Sequence, residues 1–195
     1  MPVTSAQLTP TILSQLNARG VVGPFAANLS AGIALGTEGF IQSLVVQSQA
    51  TGALGVGVGT GKWFLEPTSG STTLAAQMAG SGLVGTHQTQ IATGLAFGIS
   101  IVVNSSALVQ TAVPTVAVGA GVGTITNANG ALATQLLYAG LVANGITGNR
   151  ASTLASAVGQ GLAIWFRTGT ITTAIAGTPV VPPVTGAGIG IGRIV

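Results

Sequence analysis

The chain has 195 residues and 47% of them are hydrophobic, but only 4% are Asp, Glu, Lys or Arg, against about 25% in typical soluble domains. A surface with so little charge must be covered by neutral polar groups or by neighbouring protein, which argues against a free monomer. The net charge of +3 is spread singly along the chain. This pattern excludes the basic cluster that neutralises a run of phosphates, so no nucleic-acid partner is expected. The chain contains no Cys, which excludes disulfides and thiolate metal sites.

Neither a secretory leader nor a membrane span is expected. Residues 1–7 lack the basic flank and the long apolar run of a secretory signal. The most apolar stretch, residues 91–103, covers 13 residues, whereas a helix needs about 20 to cross a bilayer. A buried helix fits this stretch better, and membrane contact is not expected.

The first sixty or so residues predict two helices joined by a tight turn. Thr9 and Pro10 can open a helix of about ten residues, and Gly20 can close it in the left-handed conformation. The short link to the next helix predicts an αα-hairpin, with Val21 and Val22 filling its corner. A second helix of about 20 residues follows, because apolar residues recur at helical spacing. This stripe comprises Phe25, Leu29, Ile33, Phe40 and Leu44.

The same arrangement recurs twice, so the chain is predicted to contain three diverged copies of one unit. Residues 15–23, 77–85 and 135–143 share Gln, then Leu or Met, three variable positions, Gly, Leu or Val, Val, and Gly or Ala. The predicted repeats are 1–66, 67–128 and 129–195, and they form one compact body. At the ends of the first helices, the matching glycines are Gly20, Gly82 and Gly140.

Each copy also carries two small residues one helical turn apart in its second helix, with five extra residues before the third pair. Small residues at this spacing let another backbone approach closely, so a close helix contact is predicted in every repeat. The residues predicted to form these contacts are Gly32, Gly36, Gly94, Gly98, Ala157 and Gly161.

Every copy ends in glycines that alternate with branched or small residues, over residues 55–63, 119–125 and 186–194. This alternation has the period of a strand and leaves one face without side chains. Glycine weakens a strand, so a helix or another backbone is expected on that face. Linkers are predicted at residues 66–71, 126–130 and 178–183. The glycines predicted to form the packed face are Gly57, Gly59, Gly121, Gly123, Gly188 and Gly190.

Together these patterns predict a mainly α fold with short β (α+β). It would contain three pseudo-equivalent repeats, each an αα-hairpin followed by one Gly-alternating strand.

The residues that would carry catalysis are missing or misplaced. A phosphate-binding GxxxxGK loop fails because Val56 stands at its first Gly and Trp63 replaces its Ser or Thr. The dinucleotide pattern GxGxxG fails because Lys62 and Arg193 occupy its last position. His87 could act as a base only with Glu38 or Glu66, and no spacing connects them. We therefore predict that the protein is not an enzyme and has no catalytic, cofactor-binding or metal-binding residues.

Four residues are interface candidates. Lys62 and Arg193 follow two of the glycine runs, where they could make helix-dipole or rim contacts, or salt bridges to a carboxylate of a neighbouring subunit. Trp63 and Trp165 are large aromatic residues outside the predicted stripe, and they could anchor either the core or an interface.

A small cysteine-free chain with scarce charge and repeats rich in Gly, Ala, Thr and Val resembles virion structural proteins of tailed bacteriophages, such as minor capsid, tail or baseplate components. The resemblance implies a non-enzymatic subunit, located in the virion, whose partners are copies of itself and other structural proteins of the particle. The alternative is a membrane-associated glycine-zipper protein that packs its small-xxx-small helices in lipid. A hydrolase is a third class, and it would require turnover that depends on His87.

Overall fold

The computed structural model describes the backbone of residues 4–53, 56–105, 108–115, 118–125, 129–168, 171–176 and 184–194, and the side chains of residues 4–44, 64–105 and 129–167. The chain forms six helices in this part, two in each third of the sequence. They are α1 (Ser5–Asn17), α2 (Pro24–Ile41), α3 (Pro67–Gly80), α4 (Gln88–Asn104), α5 (Gly130–Ala143) and α6 (Gly148–Thr168).

The first helix of each pair ends in the same hydrogen-bonded turn. After α1, Gly20 has φ 80°, and the Val21 N–H donates to the Leu16 carbonyl oxygen at 3.0 Å. After α3, Gly82 has φ 82°, and the Leu83 N–H donates to the Met78 carbonyl oxygen at 2.9 Å. This left-handed glycine followed by a bond back across the last turn satisfies carbonyl groups that the helix itself leaves without donors.

In the third repeat the equivalent glycine is Gly145 rather than Gly140, which corrects the predicted alignment. Gly145 has φ 84°, and the Ile146 N–H donates to the Leu141 carbonyl oxygen at 3.0 Å, whereas Gly140 lies inside α5. Aligning residues 141–148 with 16–23 and 78–85 removes the five extra residues that the sequence pattern required. The predicted match at residues 135–143 therefore placed the third copy five residues too early.

The six helices form a closed ring. Each helix contacts its two neighbours in chain order, and α6 returns to contact α1. The first helices α1, α3 and α5 each bury a narrow stripe; in α1 it consists of Leu8, Ile12 and Leu16. The second helices bury much more of their circumference, for example ten residues of α2. Each first helix therefore lies in the groove between two second helices.

One hydrophobic core runs through the whole ring and includes residues from all six helices. Leu29, Ile33, Phe40 and Leu44 of the predicted stripe are buried in it. Phe25 was placed in the stripe incorrectly, because it is 60% exposed. It is the second residue of α2, next to the turn that joins α1 to α2.

The strand segments have backbone pairings and are arranged two per repeat. They are β1 (Val45–Ala53), β2 (Val56–Phe64), β3 (Leu108–Thr115), β4 (Val118–Ile125), β5 (Ile171–Ala176) and β6 (Val184–Ile194). Each strand pairs with the next in antiparallel fashion, and β6 pairs back with β1, with Val45 opposite Ile191. The sheet is thus closed and has no free edge among the described strands.

The predicted fold class, mainly α with short β, is wrong. In the part of the chain whose side chains are described, 79% of the residues are helical and no sheet is formed. The paired strand segments lie outside that part, except for Phe64 at the end of β2. The prediction assumed that one glycine-rich strand per repeat would present its flat face to a helix or to another chain. In the structure the helices cover one another by closing into a ring, and the strands pair in hairpins among themselves.

Two predicted linkers also belong to helices. Residues 66–71 were expected to be a linker, but α3 begins at Pro67, where a proline at the first helical position costs no hydrogen bond. The end of the second linker opens α5, because the Asn129 side chain accepts a hydrogen bond from the Ala131 N–H at 2.9 Å.

Candidate assembly surface

The predicted small residues lie at the seams between repeats, where the second helix of one repeat crosses the first helix of the next. A Cβ on Gly36 would lie 2.8 Å from the Leu74 Cα, and one on Gly32 would lie 2.9 Å from the Met78 Cα. Both contacts are with α3. Real Cβ atoms essentially never approach this closely, so the two backbones meet at a distance that only glycine allows.

The second seam, between α4 and α5, repeats this arrangement. A Cβ on Gly98 would lie 2.7 Å from the Leu137 Cα, and one on Gly94 would lie 2.8 Å from the Leu141 Cα. Gly140 faces the same seam from α5, because a Cβ there would collide with the Gly94 carbonyl oxygen. Gly140 was predicted to close a helix, but its place in the structure is a helix-to-helix contact.

The third seam joins α6 to α1 and closes the ring. A Cβ on Gly161 would lie 3.0 Å from the Ile12 Cγ1, and Ala157 is fully buried one turn earlier. This crossing is less tight than the other two, since the nearest atom belongs to a side chain. The predicted small residues of all three repeats therefore lie at successive seams of one ring.

The structure describes the side chain of only one of the four interface candidates, Trp165. Trp165 is 3% exposed, and its ring lies 5.6 Å from that of Phe166, so it belongs to the core of the chain. Lys62, Trp63 and Arg193 lie outside the residues whose side chains are described. The surroundings of the six predicted strand glycines also lie outside the described part: Gly57, Gly59, Gly121, Gly123, Gly188 and Gly190.

His87 and the two carboxylates are at opposite ends of the ring. His87 precedes α4 and its Nδ1 lies 2.7 Å from the Gln90 Oε1. Glu38 lies in the last turn of α2, where its Oε2 accepts a hydrogen bond from the Ser5 N–H at 2.8 Å, and Glu66 precedes α3. Helices of this length separate their two ends by roughly 20 Å or more. The structure therefore does not bring together the triad considered from the sequence.

The interhelical turns all lie at one end of the ring, which we call the turn end (residues 17–25, 79–87 and 142–150). The seam contacts fix this geometry. Gly32 in the middle of α2 meets Met78 near the end of α3, and Gly36 one turn later meets Leu74 one turn earlier, so the two helices are antiparallel. Apart from the start of α1, the opposite ends of the helices lead into or out of the strands. At that side the Asn104 Oδ1 accepts a hydrogen bond from the Leu65 N–H at 2.8 Å, linking α4 to the segment after β2.

The most exposed large hydrophobic side chains of the described part lie at the turn end. Val84 is 80% exposed, Val22 is 67% exposed and Phe25 is 60% exposed. The sequence predicted that Val21 and Val22 fill the corner of the hairpin. Val21 does pack against the core, but the prediction for Val22 is wrong, because the left-handed glycine turns the following residue inward and the next one outward.

The two acidic side chains lie at one end of the ring, whereas basic side chains lie at both ends. Arg19 and Arg150 are exposed at the turn end, and Arg167 is exposed in the last turn of α6, at the strand side. The Arg19 guanidinium donates to the Ser156 Oγ at 2.6 Å, which links α1 to α6 without neutralising the charge. Glu38 and Glu66 are the only acidic residues in the chain, and both lie at the strand side. The turn end therefore combines exposed apolar side chains with basic groups and carries no acidic side chain.

Among the described residues, no three His, Cys, Asp or Glu side chains are placed so that they could hold a metal ion. None of the helices described is long and apolar enough to cross a membrane. No protein-family model, curated protein sequence or solved structure significantly matches this chain.

Proposed function

We propose that this protein is a non-enzymatic structural subunit of a large protein assembly, a phage virion component that tiles, seals or joins neighbouring subunits. The observation that carries the proposal is the exposure of Val22, Phe25 and Val84 together at one end of the ring. Large apolar side chains that are gathered at one exposed end of a protein are typical of protein contact sites. The charged fraction of 4% supports the same interpretation, since little opposes association.

The construction of the ring suits such a role. At the α2–α3 and α4–α5 seams the backbones are in contact, so these helices cannot slide without collision. The ring closes through α6 and α1, so no terminal helix is left with an uncovered face. A rigid body of this kind can fill a fixed space between neighbours.

The alternative, a membrane-associated glycine-zipper protein, is not favoured. Its small-xxx-small faces would need to meet other helices in lipid. In this chain those faces are already occupied by helices of the same chain, for example Gly36 by Leu74 and Gly98 by Leu137.

Detergent-free fractionation of the source in which the protein is naturally made tests the proposal. We expect the protein to sediment with large assemblies, and the purified chain to form oligomers at low concentration in moderate salt. A soluble, stable monomer of 18.9 kDa in both experiments would contradict the proposal, as would recovery with the lipid fraction.

A further inference from the structure

We infer that the turn end is a docking face for a protein oligomer whose symmetry is threefold or a multiple of three and whose contact surface carries carboxylates. This inference rests on the proposed function and names the partner of that assembly subunit. It is carried by the symmetry of the turns, by their charge and by their exposed apolar residues.

The backbone of the turn end repeats three times around the ring. Gly20, Gly82 and Gly145 have φ values of 80°, 82° and 84°, and each is followed by the same hydrogen bond across the last helical turn. A partner whose contact sites repeat every third of a full rotation can engage all three interhelical turns at once. A partner with twofold or fourfold symmetry can match only one of these interhelical turns, so it does not gain affinity from multivalent contact.

The charge of this face selects an acidic partner. Arg19 and Arg150 are exposed there, in the first and the third turn, and both acidic residues of the chain lie at the other end of the ring. Like charges facing one another oppose association, so a second copy docked turn end to turn end is disfavoured. A carboxylate on the partner can pair with the Arg150 guanidinium through two parallel hydrogen bonds. The Arg19 guanidinium already donates to Gln15 and Ser156, so it attracts a carboxylate through its charge.

The apolar residues favour protein over nucleic acid as the partner. Val22 and Phe25 in the first turn and Val84 in the second turn are 60–80% exposed. Protein interfaces are enriched in aromatic residues and Arg and depleted in acidic residues, and the turn end has this composition. Nucleic-acid sites have denser positive charge, and this face has only two Arg side chains.

Photo-crosslinking in the native source is the direct test. A benzophenone amino acid replaces Val84 at the turn end or, as a matched control, Leu132 on the outer side of α5, which is 45% exposed. The adducts are identified by mass spectrometry, and native mass measures the copy number of the partner. We expect position 84 to yield one protein present in a multiple of three copies, at least fivefold more than position 132.

An adduct with a second copy of this chain, with nucleic acid or with lipid would overturn the inference, as would no adduct above the control or a copy number not divisible by three. Failure of the proposed function can be told apart from failure of this inference, because sedimentation tests the proposed function and does not depend on residue 84. A specific adduct found in a fraction without large assemblies would support the docking face and contradict the assembly role.

Charge variants test the acidic nature of the partner separately. Val84→Glu should lower the yield of the complex in which the adduct forms by at least tenfold, whereas Val84→Lys should retain most of it. The matched change Leu132→Glu should have little effect. Equal losses for Glu and Lys at position 84 would show that the partner does not present carboxylates there. Circular dichroism melting checks that each variant is folded.

Discussion

Replacing Gly98 by Ala tests whether the seams between repeats hold the ring together. Gly98 lies in the middle of α4, where Ala would normally stabilise a helix by about 0.5–1 kcal/mol. The new Cβ would lie 2.7 Å from the Leu137 Cα and 2.8 Å from the Leu137 Cδ2. The Leu137 side chain can rotate away from the new methyl group, but its Cα belongs to the backbone of α5 and moves only if the helix moves.

The sign of the effect follows from comparing the two contributions. Overpacking of a close contact costs about 1–3 kcal/mol, which exceeds the gain in helix propensity. Gly80→Ala is the matched control, because Gly80 lies at the end of α3 and a Cβ there meets nothing within 4 Å. We expect the control to be neutral or slightly stabilising, which leaves a gap of about 1–3 kcal/mol between the two variants.

Urea unfolding followed by circular dichroism measures this gap as a difference in free energy of unfolding. In a chain of this size, 1 kcal/mol corresponds to about 2–4 °C in melting temperature, so the variants should melt roughly 2–12 °C apart. If Gly98→Ala melts at or above Gly80→Ala, the helices at this seam are not in backbone contact, and the glycine pairs do not close the ring.

Three further substitutions test the alignment of the third repeat, the core and a helix cap. Each is measured by the urea concentration at the midpoint of unfolding. Gly145→Ala should lower the free energy of unfolding by about 1–2 kcal/mol, because φ is 84° and L residues are strained there. An unchanged free energy would favour the alignment at Gly140 that the sequence predicted. Thr37→Val should add about 1 kcal/mol or more, because the fully buried Thr37 Oγ1 has no hydrogen-bond partner among the described residues; a loss would reveal a bonded hydroxyl. Asn129→Ala should cost about 1 kcal/mol through loss of its cap on the Ala131 N–H, and an unchanged midpoint would show that water replaces the cap.

The repeat itself could be detected from the sequence, because glycine in a left-handed turn is hard to replace. Gly20 and Gly82 were identified as helix ends for this reason, and both have positive φ. The third copy was misaligned because Gly140 is followed by Leu141 and Val142, which match the residues after Gly20 and Gly82. The pattern alone does not distinguish a glycine needed for its φ from one needed for close approach. Only the contact of Gly140 with Gly94 separates the two roles.

The fold class could not be predicted, because periodicity shows which face of an element is buried but not what covers it. The stripe in α2 was correct for Leu29, Ile33, Phe40 and Leu44, yet nothing in the spacing indicates that helices rather than strands complete the core. The turn end was missed for a related reason. Apolar residues in a turn were expected to be buried, and the exposure of Val22 and Val84 depends on where the ring ends.

The turn end has a symmetric backbone but different side chains in its three turns. Phe25, His87 and Arg150 lie at intervals of 62 and 63 residues, near the start of each second helix. A homotrimer of single repeats would carry one of these side chains three times, whereas a single chain can vary them. Rotating the protein by one third of a turn against a threefold partner therefore preserves the backbone fit and changes the side-chain contacts. Since pairing a carboxylate with Arg150 differs in energy from placing it beside Phe25, the three rotations are not equivalent. A chain built in this way can occupy a threefold site in one preferred orientation.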